Sequence, residues 1–347
     1  MPAIGIAAAD RIGVRRKAGL VLPLLCALAL AAVLVSGAVG SVAMSPSELF
    51  GGLRALLHGD DSGNLAATLL QLRLVRAATA FAVGATLALA GTMMQALLRN
   101  PLAEPYVLGI SGGASVGALF AILLFSAAWM VDVASFAGAM AVAALLFALA
   151  YRDLRGGVVE GNTSLLLLTG VIVAAGCGAL ITLMLSIAPE GRLRGMVFWL
   201  IGDLSTAQWR LLPFVILALA LAFAWRSARA VNVLALHGDH AGALGVPVAR
   251  LRQALFLCAA LLTASAVSTA GSIGFVGLIV PHACRLAFGP DHRLLFPAAA
   301  LTGGGFLVLA DTLARCVLAP QQLPVGVITA LIGVPVFLLQ LHHIHRR

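Results

Sequence analysis

The sequence predicts an all-α polytopic membrane protein with ten transmembrane helices, and three observations lead there. Of its 347 residues, 61% are hydrophobic and 10% charged, against roughly 45–50% apolar and about 25% charged in a soluble domain. The apolar excess runs through the whole chain instead of marking one anchor. The apolar stretches approach the ~20 residues of a spanning helix and lack the ten-residue alternation of a membrane strand. Lipid offers no partner to a free backbone amide, so such spans are helices.

The first span is 19–39. It follows Arg11, Arg15, Arg16 and Lys17 in the manner of a signal peptide. Its apolar run is about twice a usual h-region, so an uncleaved span is expected. The second and third, 77–98 and 106–126, are separated by a break rich in proline. Then come 132–151, 163–188, 210–229 and 251–271. Segment 274–287 is too short for a plain span and must be tilted, half-buried or extended. The series closes with 295–314 and 325–341. No low-complexity linker divides the chain. It is therefore treated as one membrane domain, 19–341, between tails 1–18 and 342–347.

Charge sets the expected orientation. With ten spans and an inner N-terminus, the inner pieces hold 15 of the 22 basic residues, including Lys17, Arg99, Arg250, Arg285 and Arg293. The outer pieces hold the other seven, among them Arg73, Arg76, Arg192, Arg210 and Arg315. This positive-inside bias places both termini in the cytoplasm. It also accounts for the net charge of +9 without a nucleic-acid partner.

Little chemistry is present. Lys17 is the single lysine, and it lies between Arg16 and Ala18, so no phosphate-binding loop of the G-x-x-x-x-G-K-[ST] type exists. If transport uses ATP, another subunit hydrolyses it. Catalytic residues, a cofactor and a resident metal are not expected. The five cysteines are dispersed, Asp60-Asp61 has no partner acidic motif, and the His342-His343-Ile344-His345 tail reads as an interfacial segment. Glu104 and Asp311 are the acids near membrane depth. Asp311 is expected to pair with Arg315, four residues on along one helix. Gly109, Gly113 and Gly117, and likewise Gly170, Ala174 and Gly178, form small-residue faces for close helix packing. A weak echo between 72–91 and 249–271, in opposite orientations, fits an inverted repeat. An ion-coupled carrier and a membrane enzyme stay open as other classes. The lack of intramembrane acid pairs weighs against the first, and the lack of catalytic clusters against the second.

The most informative stretch is Asn100-Pro101-Leu102-Ala103-Glu104-Pro105. Two prolines stop the helix. Backbone freed at membrane depth must be buried in protein or line a cavity, so the break is expected to border a pathway.

The run "RNPLAEPYVLGISGGASVGA" resembles the hallmark of the FecCD-type permeases, the membrane subunits of type II ABC importers for iron chelates, haem and cobalamin. "LRLVRAATAFAVGATLALAG", "GNTSLLLLTGV", "MVFWLIGDLS", "ALGVPVARLR", "GSIGFVGLIVPHACRL" and the final "LADTLARCVLAPQQLPVGVITALIGVPVFLLQL" extend the resemblance over all but about 20 N-terminal residues. It implies an inverted-repeat type II ABC importer permease fold in the bacterial inner membrane. It implies a homodimer enclosing the pathway, two ATP-binding-cassette ATPase subunits and a periplasmic binding protein. Asn100 and Leu102 match one cytoplasmic gate, and Thr163 and Ser164 the other. Arg73, Arg76 and Arg315 match outer arginines that meet acids on the binding protein. His240, Ala243, Leu244, Gly245, Val246, Arg250 and Arg252 match the segment that receives the ATPase stroke. "MVFWLIGDLS" matches a short outer helix.

Overall fold

In the computed structural model, residues 2–58, 64–106, 108–125, 127–151, 162–237 and 240–345 are described, with backbone alone for 2–16, 162–165, 237, 340, 341 and 343–345. Asp60-Asp61, Arg152, Arg155, Arg346 and Arg347 lie outside them. Among the described residues there are twelve helices: α1 (Pro2–Ala38), α2 (Pro46–His58), α3 (Leu65–Leu98), α4 (Ile110–Leu124), α5 (Ala128–Leu149), α6 (Asn162–Ser186), α7 (Glu190–Ile201), α8 (Leu212–His237), α9 (Val248–Ala270), α10 (Val276–Phe288), α11 (His292–Cys316) and α12 (Val325–His345). The described residues hold no strand.

Seven of these contain stretches long and apolar enough to cross a bilayer: Lys17–Ala38, Leu65–Leu98, Ala128–Leu149, Leu166–Ser186, Leu212–Leu236, Val248–Ala270 and His292–Cys316. The other three expected spans coincide with shorter apolar helices, Ile110–Leu124, Val276–Phe288 and Val325–Leu339. The 13 residues of α10 reach about 20 Å, less than the ~30 Å hydrocarbon core. That shortfall agrees with the sequence expectation for 274–287. α7 falls where the resemblance implied a short helix. α2 was not foreseen.

α3 corrects an expected boundary. It starts at Leu65, twelve residues before 77, with Asn64 accepting hydrogen bonds from the Ala66 and Ala67 amides at 3.0 and 3.2 Å. This is an N-cap, which satisfies otherwise orphaned donors. Arg73 and Arg76 interrupt the apolar run and so displaced the sequence boundary. α3 is the axis of the molecule. Its apolar window is 94% buried, against α1, α2, α8, α9, α10 and α11. α1, α5 and α6 are only 17%, 22% and 17% buried over theirs, so their apolar faces point outward.

Glycines set the closest crossings. A Cβ at Gly91 would run into the backbone of Gly277, and one at Gly84 into that of Gly303. α3 therefore packs almost backbone to backbone on α10 and α11, which small residues permit. The expected small-residue faces are partly realised. Gly113 and Gly117 abut Gly138 and Ala134 of α5, and Gly109 and Gly170 lie against Ala174 and Leu108. Gly178 faces open space.

Candidate functional site

Two interruptions of helix lie side by side. The first runs from Arg99 to Gly109. Arg99 caps α3 in the left-handed region at φ 48° and donates its amide to Gln95 O. The Asn100 amide goes to the same carbonyl at 3.2 Å. Asn100 Oδ1 then accepts the Leu102 amide at 2.9 Å, a local side-chain turn of the kind asparagine favours. Gly109, at φ 79°, opens α4. The second interruption runs from Gly271 to Phe275. Phe275 is also left-handed, at φ 71°, and forms the N-cap of α10.

Glu104 joins the two. It is buried, and the Phe275 amide hydrogen-bonds its carboxylate. Gln95 makes a second tie. Its Nε2 donates to Leu278 O at 3.2 Å, and its Oε1 accepts from Arg285 Nη2 at 3.0 Å. Asn100 is half-buried beside this tie, and Leu102 is 42% exposed. The break therefore has a locked inner wall and an accessible outer lip, a shape suited to bordering a passage.

Thr163 and Ser164 lie in the first turn of α6. Their side chains fall outside the described residues.

Arg73, Arg76 and Arg315 converge at the opposite end of α3, but as buried groups, 7%, 8% and 4% exposed. Arg76 clasps the fully buried Asp311 with Nε at 3.0 Å from both carboxylate oxygens and Nη2 at 2.7 Å from Oδ1. Its Nη1 reaches Gln322 Oε1 at 2.8 Å. Arg315 Nε lies 3.2 Å from Asp311 Oδ2, the expected i,i+4 pair, and its Nη2 donates to Ser36 Oγ at 2.7 Å. Arg73 donates to the carbonyls of Gly37 at 3.2 Å, Ala38 at 3.0 Å and Val42. Gly37 and Ala38 are the last residues of α1, whose carbonyls have no intrahelical partner. Each of the three guanidiniums is thus engaged by its own chain.

The segment before α9 is a compact turn. The amides of Leu244, Gly245 and Val246 close on His240, Gly242 and Ala241 carbonyls at 3.1, 3.0 and 3.1 Å. Gly245 sits at φ 83°, a conformation glycine adopts freely. His240, Ala243, Leu244 and Arg250 are exposed, with Leu244 at 60%. Arg252 is buried and engaged, so of the two arginines in this segment Arg250 alone is exposed.

Sequence reasoning missed Gln95 and the Arg76–Asp311 clasp. Gln95 carried a usable signal, the one amide side chain within the apolar span 77–98, which lipid penalises unless it is partnered. The clasp spans 235 residues of chain, and no local pattern carries it.

A model of the FecCD transport family matches residues 27–343. The cobalamin import system permease BtuC of Halobacterium salinarum is 45% identical over 272 residues, 77% of this chain and 71% of that protein. The hemin transport system permease HmuU of Yersinia pestis is 40% identical over 321 residues, 88% and 92% of the two chains. A solved structure described as an inward-facing, metal-chelate type ABC transporter superposes with a TM-score of 0.79 at 31% identity. It covers 93% of this chain and 98% of the other.

Proposed function

This chain belongs to the FecCD transport family, and on that premise we propose that it forms the pathway through which a separate ATPase drives uptake of a metal chelate. It is an ABC importer permease. The single observation that supports this pathway is the pair of adjoining helix interruptions, held together by Glu104 and Phe275. Relatives are named for cobalamin and hemin import, so the cargo class is a bulky chelate: iron-siderophore, haem or cobalamin. The proposed assembly is a homodimer with two ATPase subunits and a periplasmic binding protein, in the bacterial inner membrane. Ten spans, with the three shorter apolar helices completing the count, leave both termini cytoplasmic.

Two clusters support that orientation. Lys17, Arg99, Arg285 and Arg293 gather at one end, the end that charge assigns to the cytoplasm. Arg73, Arg76 and Arg315 gather at the other. Docking of an acidic partner on those three then requires the Asp311 cluster to open, since all are buried. Asn100 and Leu102 act as one cytoplasmic gate, and Thr163 and Ser164 as the other. The His240–Arg252 segment takes the ATPase stroke through exposed Leu244 and Arg250.

Reconstitution with the ATPase and binding protein tests the whole. ATP-dependent uptake of one of the three cargo classes is the expected result. Uptake by the permease alone on an ion gradient would return the chain to the carrier class.

Two further outcomes follow. Leu244→Asp with Arg250→Glu should reduce transport-coupled ATPase stimulation by about tenfold, the effect of an apolar anchor and a charge reversed at one contact. Normal stimulation by the variant removes both from the coupling surface. Asn100→Ala with Leu102→Ala removes the side-chain turn and the exposed lip. A dye-release assay on the resting transporter should then show leak, and a tight pore counts against gating.

A further inference from the structure

A cavity of about 680 Å³ opens between the ends of α3, α8 and α10, the start of α11, and Lys17 of α1. Four basic residues from separate segments line it: Lys17, Arg99, Arg285 and Arg293. Its one carboxylate, Asp291, offsets only one of these four charges. Oδ1 accepts from Asn232 Nδ2 at 2.7 Å and from the Arg293 amide at 2.9 Å, and Arg293 Nε stays 4.0 Å away. Among the described residues, Arg285 is held by the neutral amide of Gln95. Lys17 and Arg99 are exposed. The wall also holds unspent polar groups. His292 is 4% exposed and lines the cavity; its Nδ1 donates to Asn232 Oδ1 at 2.7 Å, which leaves Nε2 as an acceptor suited to a headgroup hydroxyl, and among the described residues neither Nε2 nor the Arg293 Nε donor has a hydrogen-bond partner. The cavity is thus a concentrated positive charge with unsatisfied hydrogen-bonding capacity.

We propose that this cavity binds the phosphate of an anionic phospholipid headgroup, of the phosphatidylglycerol class. The inference rests on the membrane orientation proposed above and names a ligand that the transport function does not. Lys17 stands two residues before the apolar run 19–39, at the inner edge of the first span, so the cavity lies at headgroup level. Apolar groups share its wall, Leu236 and Phe288 among them, which suits the glycerol and first acyl carbons of a lipid better than a free anion. Basic pockets between helices at the cytoplasmic surface recognise such headgroups through charge. Asn100 also lines the cavity, so an occupied site abuts the proposed gate.

The test uses the full-length permease in nanodiscs of phosphatidylcholine with or without phosphatidylglycerol, followed by native mass spectrometry of retained lipid. Wild type should keep phosphatidylglycerol in preference to phosphatidylcholine. Lys17→Gln with Arg99→Gln, both exposed, should lower that retention about thirtyfold, from ~1 kcal/mol per basic residue. Arg293→Gln should lower it independently. Equal retention of the two lipids by wild type, or unchanged retention in the variants, overturns the proposal. Inorganic phosphate that raises thermal stability as much as phosphatidylglycerol does would assign the site to a soluble anion and overturn the lipid. ATP-driven uptake by the same wild-type permease, reconstituted with its ATPase and binding protein in sealed vesicles, keeps the two inferences separate: lost uptake with selective lipid retention faults the transport function alone.

Discussion

Asp311→Ala is expected to lower the stability of the protein in detergent by about 3–5 kcal/mol, the usual cost of leaving buried charge without its partner. Two cations, Arg76 and Arg315, share that carboxylate, and neither has access to bulk water to recover its solvation. Asp311→Asn should cost less, because the amide oxygen still accepts one guanidinium hydrogen bond. Asp311→Leu combined with Arg76→Leu should regain much of the loss, since a buried ion pair can be replaced by apolar groups at little net cost. The measurement is the unfolding midpoint of the purified protein. A melting curve for Asp311→Ala that overlays wild type would mean that the cluster is not closed in the resting molecule. It would also reopen the presentation of Arg76 to an outside partner.

Gly91→Leu should be at least as damaging. The added side chain would begin inside the Gly277 carbonyl, and neither partner atom can move without its helix. α3 and α10 would have to separate at the point where Gln95, one turn further on, ties them together. A loss of about 4 kcal/mol or more is expected, in the range reserved for overpacking of a closed core. Transport should fail with it. Gly178→Leu is the matched control, because that glycine faces open space, and it should melt as wild type does. Equal behaviour of the two variants would contradict the close crossing.

The all-helical fold, the approximate position of the spans and the helix break were legible in the sequence because each has a local cause. Lipid forces the backbone into helices, composition marks where they run, and Pro101 and Pro105 cannot continue one. The start of α3 was not legible, because Arg73 and Arg76 interrupt the apolar pattern while their destinations are remote. The same holds for burial. The window of α1 has the higher mean hydropathy, 2.7 against 1.6 in α3, yet α3 is the axis and α1 the rim; in a membrane both lipid and protein interior are apolar, and Gly84 and Gly91 let α3 pack closely. At the candidate site, Asn100 and Leu102 stood out as residues of the break, and the structure gives them the turn and the lip. Glu104 was conspicuous, but its tie to Phe275, 171 positions further on, has no local trace. Arg250 and Arg252 looked equivalent two residues apart. On a helix two residues apart they point in different directions, and only the first reaches solvent.

Among the described residues, two that are not glycine hold a left-handed backbone, Arg99 and Phe275. They stand at the two neighbouring interruptions, where a side chain makes that conformation costly. The molecule thus concentrates its conformational tension in a single fulcrum, while the glycine-packed crossings on either side behave as stiff levers. Motion of α4 and α9 against the α3–α10 pair needs only a few dihedral angles to change there, and the helices themselves can travel as unbent bodies.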